Sequence, residues 1–142
     1  MKPLVIKKGY VDIPLQDEKG ESMGIVSFNP KDLNLLDRLK SGFTRIEEKV
    51  NSIQHIDCLS IDENIKIYKE CDEFVKAELN IIFDYDVSSI LFGNNSSFSS
   101  HDGSYWIMQF IHGITPIIQT EIKKELKASE NRVSKYTKDY EK

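Results

Sequence analysis

The hydrophobic and polar positions of this chain divide it into an alternating N-terminal part and a longer part of helical period. VIKK and GYVDIPL lead through QDEKGES to MGIVSF. In the second of these runs Val11, Ile13 and Leu15 alternate with Tyr10, Asp12 and Pro14, the period-two pattern of a half-buried strand. The polar, glycine-containing stretch between apolar runs predicts a hairpin with its turn near Asp17–Glu21. Pro14 has no N–H to give to a ladder, so its strand is expected at an edge.

From Asn29-Pro30-Lys31-Asp32 the period changes. Asn29 and Asp32 are both candidate N-caps. Leu36, Leu39, Phe43, Ile46, Val50 and Ile53 follow at alternating spacings of three and four, a seam of coiled-coil type. Gly42 interrupts this helix and is expected to weaken it by about 1 kcal/mol relative to Ala. A second helix is predicted from Ser60-Ile61-Asp62-Glu63, where Ser and Glu stand at capping-box spacing. Its apolar face reads Ile61, Ile65, Tyr68, Cys71, Val75, Leu79 and Ile82. FDYDVSSILFG predicts a short helix or turn that stops at Gly93, and NNSSFSSHD a polar loop. Asp102 or Ser104 is expected to cap the last helix.

That last helix opens with YWIMQFIHGITPII, the most apolar stretch of the chain. Ile107, Ile111, Ile114, Ile118, Ile122 and Leu126 form one stripe along it. Trp106, Phe110 and Ile117 occupy another arc, so the helix is apolar nearly all round for its first turns. Such a helix is either central to a core or keeps a face for a partner. Pro116 is expected to kink it, and Gly113 permits a bend or a close backbone approach. The continuation QTEIKKELKASENRVSKYTKDYEK mixes charges, as a solvated face does. Tyr136 and Tyr140 extend an apolar ridge through it.

The expected fold is therefore mainly α with a small N-terminal β-hairpin (α+β), its three to four helices packed as an irregular bundle. A length of 142 residues fits one domain. Residues 1–30 form its hairpin region, 31–128 its helical core, and 129–142 a fraying, charged C-terminal helix or tail. Hydrophobic residues make up 39% and charged residues 30%, a balance that suits a water-exposed globular surface. The net charge of -4 argues against nucleic-acid binding, which calls for a basic stripe. The opening MKPLVIKKGYVDIPL lacks the apolar run and cleavage site of an export signal. No segment approaches the roughly 18–20 apolar residues of a membrane span.

Candidate chemistry is sparse. His55-x-x-Cys58 and Cys71 supply three potential zinc ligands without a fourth, so no metal or other cofactor is expected. Asp84 and Asp86 lack the Gly and Glu of a calcium loop. Ser99-Ser100-His101-Asp102 places nucleophile, base and acid side by side, but neighbouring loop residues point in different directions. An enzyme is not expected.

The order of elements resembles the tail assembly chaperones of long-tailed phages and prophages of Gram-positive bacteria. The resemblance lies in a hairpin ending GIVSFNPKD, the amphipathic LLDRLKSGFTRIEEKV, the central ECDEFVKAELNIIFD, SSILFGNNSSFS, and FIHGITPIIQTEIKK with a basic KYTKDYEK. It implies a small helical protein of the host bacterial cytoplasm. Such a protein binds the aggregation-prone tape measure protein while tail tube subunits assemble around it. Partner contact is then expected from Leu36, Phe43 and Val50 on the first helix and from Trp106, Phe110 and Ile117 on the last, with self-association through the edge strand or the apolar helices. Two rival readings remain. One is a phage-encoded inhibitor or regulator of a single host protein, and the other a structural tail component joined through the Tyr10–Leu15 edge.

Overall fold

The computed structural model describes residues 1–53 and 60–140, with side chains given as far as residue 128. The chain is mainly α, with an N-terminal antiparallel hairpin and four helices. Strands β1 (Val11–Gln16) and β2 (Ser22–Phe28) pair in the register Ile13 with Val26 and Pro14 with Ile25. Their turn falls where the sequence placed it: the Asp17 carbonyl accepts from Gly20, and the Asp17 carboxylate accepts the Lys19 and Glu21 N–H groups. Val11, Ile13 and Leu15 face inward, while Asp12, Pro14 and Gln16 are exposed. VIKK, expected as a strand, has no secondary structure and is exposed throughout.

Helix α1 (Leu33–Ile53) starts from Asp32, whose carboxylate accepts the Asn34 N–H and whose carbonyl accepts from Leu36. Its buried positions are Leu35, Leu39, Gly42, Ile46, Val50 and Ile53. The seam is thus rotated from the expected one over its first turns, and Leu36 and Phe43 are only partly buried beside it. The cause is Gly42. A Cβ there would overlap the Ile82 side chain, so the missing side chain lets helix α2 (Ile61–Phe83) come close. The two helices are antiparallel. Arg45 makes a two-pronged ion pair with Glu78, Arg38 Nε donates to the Ile82 carbonyl, and Lys49 lies over the Phe74 ring. Ser60 caps α2 by accepting the Glu63 N–H at 3.2 Å.

Helix α2 ends at Asp84 in the left-handed conformation, and Asp86 caps the short helix α3 (Val87–Phe92). Hydrogen bonds from the Ser89 and Ser88 hydroxyls and the Ser89 N–H hold the Asp86 carboxyl below the usual range. The hairpin sits on α3 at Gly24, where any Cβ would press on Ile90.

The stretch read as a plain polar loop is built into the core instead. Ser97 and Phe98 are buried. Asp72 of α2 accepts both the N–H and the hydroxyl of Ser97 at 2.7 Å, and Lys76 bridges Asp72 to the Asn95 carbonyl. Burial pushes the Asp72 pKa up, but these hydrogen bonds and Lys76 outweigh it and hold the carboxyl below its ordinary value. Residues 100–105 form a second small hairpin, β3 (Ser100–His101) with β4 (Ser104–Tyr105). Asp102 and Gly103 turn it with positive φ at both positions, as a tight two-residue turn requires. Neither Asp102 nor Ser104 caps the last helix. The carbonyls of Ser99 and Ser97 accept the Trp106 and Ile107 N–H groups, so the buried loop itself ends helix α4 (Trp106–Tyr140).

Helix α4 supplies Ile107, Phe110, Ile111, Ile114 and Ile118 to the one core cluster described. The helix continues through Pro116, which removes the donor to the preceding turn on an exposed face. Gly113 meets no neighbour within 4 Å. Lys31 pairs with Glu125 at 3.0 Å and ties the later turns of α4 to the start of α1.

Candidate partner-binding surfaces

The expected contact residues fall into three groups. Phe110 and Val50 belong to the core, Phe110 only 9% exposed, so neither offers contact area. The Phe110 ring meets Phe83 of α2 at 6.1 Å between centroids. Trp106, Leu36 and Phe43 are partly buried and pack on the same core. Ile117 alone among them is exposed, at 41%. The structure brings no two of these residues together as an open face.

Open apolar surface appears instead where two helices outrun the core. The first is the N-terminal part of α2. Ile61 is 78% and Ile65 61% exposed, and Tyr68 follows on the same face. The sequence pattern reads these as core. They stand about one to three turns before Cys71, the first buried residue of α2. With Asn64, Lys69, Asp72, Asn94 and Ser96 they line an open groove of about 600 Å³. Tyr68 of this lining belongs to an aromatic cluster in which Phe98 meets Tyr68 and Tyr105 edge to face at 6.0 and 5.2 Å. A hydrogen bond with Tyr68, reinforced by burial, pushes the Tyr105 phenol up to about 12.

The second surface lies on α4. Ile118 is buried, Ile122 half-buried and Leu126 59% exposed. One stripe thus passes out of the core within two turns. Ile117 lies on the opposite flank.

The third surface is the hairpin edge. The Ser27 N–H donates to the Tyr85 hydroxyl at 2.8 Å, so it points away from β1 and Tyr85 covers the outer edge of β2. Asp12, opposite Ser27, and Pro14 two residues on are therefore pairs that do not share ladder bonds. The donor missing at Pro14 falls on the outer edge of β1, which blunts strand addition there.

Candidate chemistry stays dispersed. His101 and Asp102 form an exposed pair at 3.2 Å in the hairpin turn, without Ser99. Cys71 is a buried free thiol, and burial pushes its pKa up. Among the described residues no group of three His, Cys, Asp or Glu side chains is placed to hold a metal. His55 and Cys58 lie outside the described residues. No described helix is long and apolar enough to cross a membrane.

Comparison of the chain with protein-family models, with characterised proteins and with solved structures finds no match. The functional reading rests on the surfaces.

Proposed function

We propose that this chain is a tail assembly chaperone of a long-tailed phage or prophage, holding apolar helical stretches of the tape measure protein in the host cytoplasm. The observation that carries the reading is helix α4. It runs 35 residues, from Trp106 to Tyr140, and its apolar stripe leaves the core at Ile122 and Leu126. In the sequence Val133, Tyr136 and Tyr140 continue spacings of three, four and seven. A helix of that pattern beyond its own core is one half of a coiled coil. A long helical client with apolar stripes is the other half, docked at i, i+4, i+7 anchors. The buried sides of α1 and α4 then serve folding, and the client meets the later turns.

Co-expression with a tape measure fragment from the same genome tests this. The wild-type chain is expected to keep the fragment soluble and to be retained with it on affinity resin. Leu126→Asp, at an exposed position, should leave the melting temperature unchanged. It should weaken retention by about 2 kcal/mol or more if Leu126 is a hot spot. Ile117→Asp probes the opposite flank. A fragment that aggregates equally with and without the chain rejects the reading.

A further inference from the structure

The open flank of the α2 groove carries charges that match themselves when reversed. Ile61, Ile65, Tyr68 and Asp72 follow one another at spacings of four, three and four, so they form one stripe over about three turns of α2. Its three apolar members are exposed. The Asp72 carboxylate is already engaged by Ser97 and Lys76. Lys69, beside Tyr68 in the lining, is exposed and enters no described ion pair. Asp62 stands seven residues earlier, about two turns along the same flank. It too is exposed and outside every described ion pair. Glu63, Lys66, Glu70 and Glu73 lie further round the helix, away from the stripe.

Opposite charges one heptad apart on one flank of an apolar stripe are complemented by the same helix running the other way. With two copies of α2 antiparallel and Ile65 of each against Tyr68 of the other, Asp62 of each falls beside Lys69 of the other. Ile61 of each then reaches the polar end of the opposite groove, at Asn94 and Ser96. The alternatives are worse. A slip of one heptad sets Asp62 against Asp62 in one direction and Lys69 against Lys69 in the other. A parallel copy offers Lys69 only the neutral Asn64. Flanking charges of this kind fix the orientation and register of paired helices.

We propose that the α2 groove is covered by the first turns of α2 from a second copy of this chain, antiparallel and about a two-fold axis near Lys66 and Ile67. The patch is the same on both copies, so the contact is isologous and closes as a dimer. Three apolar side chains from each copy make a small interface, and small interfaces are weak and transient. The dimer therefore forms at high concentration and exchanges readily. It uses no residue of α4, so it stands whether or not the α4 stripe holds a client.

Sedimentation of the full chain over a wide concentration range tests the proposal, with Asp62→Lys, Lys69→Asp and Ile65→Asp beside it. All three positions are exposed, so the variants are expected to melt close to wild type. Wild type should pass reversibly from monomer to dimer and no further, and more weakly in high salt. Ile65→Asp should stay monomeric. Asp62→Lys or Lys69→Asp alone places like charges at both contacts and should weaken the dimer about tenfold or more. An equimolar mixture of these two variants should form heterodimers as wild type does. The double variant, which keeps the wild-type net charge, should dimerise by itself. A wild-type monomer at every concentration overturns the proposal, as do dimers that survive Ile65→Asp. A mixture that associates no better than its components also overturns it. So does a tape measure fragment that binds a strictly monomeric chain and is lost with Ile65→Asp, which assigns the groove to a client. Leu126→Asp should dimerise as wild type does, which separates failure here from failure of the chaperone reading.

Discussion

A methyl group added at Gly42 of α1 would overlap Ile82 of α2, which is fully buried. Helix propensity alone assigns Gly42→Ala a gain of about 1 kcal/mol. Overpacking in a dense interior costs about 1–3 kcal/mol, and here it wins because Ile82 has no free space to move into. Gly42→Ala is therefore expected to lower the melting temperature, and Ile82→Val, which removes the Cδ1 methyl, to recover part of the loss in the double variant. Additive losses in that cycle exclude the close approach as the cause. Asp72 makes the second argument at this scale. Its folded pKa is depressed, so its contribution is present above the unfolded value of 3.8 and is lost as pH falls through the folded value. Asp72→Asn should cost about 1.5–3 kcal/mol at pH 7, as loss of hydrogen bonds to a charged group does. The gap to wild type should shrink in urea melts taken below about pH 4. A gap independent of pH assigns the loss to packing and not to the carboxylate.

At the scale of elements, α4 carries two kinds of apolar position that the sequence cannot tell apart by period. Ile114 and Phe110 are both buried, so truncation of either to Ala should cost about 2–5 kcal/mol. Ile117→Ala should stay within about 0.5 kcal/mol, as exposed positions do. Thermal melts of the three variants check the ranking, and a Phe110→Ala variant that melts like wild type refutes the placement of that ring. Strands β1 and β2, the α1 and α2 caps and most of the core were legible because local signals decide them: alternation in Val11–Leu15, Asp32 before Leu33, Ser60 before Ile61. Long-range contacts decided what was misread. Leu35 replaces Leu36 because Gly42 sets the rotation of α1 against α2. Ile61 and Ile65 continue a faultless helical stripe, but no element lies over them. Asp102-Gly103 was a readable turn signal, obscured by the serines around it. The burial of Ser97 needed Asp72, twenty-five residues away, to satisfy its polar groups.

At the scale of the whole molecule, the core is narrower than the helices that build it. The buried positions of α2 begin only at Cys71 and those of α4 end at Ile118, with Ile67 and Ile122 packed at the margin. Backbone amides inside such a core open only with free energies near that of global unfolding, whereas helical turns without tertiary cover open at far lower cost. Besides the half-buried Ile122, which packs against the edge of the core, the described tie from the later turns of α4 is the Lys31–Glu125 pair, partly exposed and worth at most about 1 kcal/mol. Hydrogen exchange should therefore divide α4 in two, with amides of 107–118 exchanging slowly and those of 119–128 orders of magnitude faster. The same division should appear between 71–83 and 61–68 of α2. Occupancy then becomes readable segment by segment. A helical client on the α4 stripe is expected to slow exchange in 119–128 and leave 61–68 unchanged. Uniform slow exchange along α4 in the isolated monomer would mean that its later turns are already covered, and the surface offered to a client would have to be sought elsewhere.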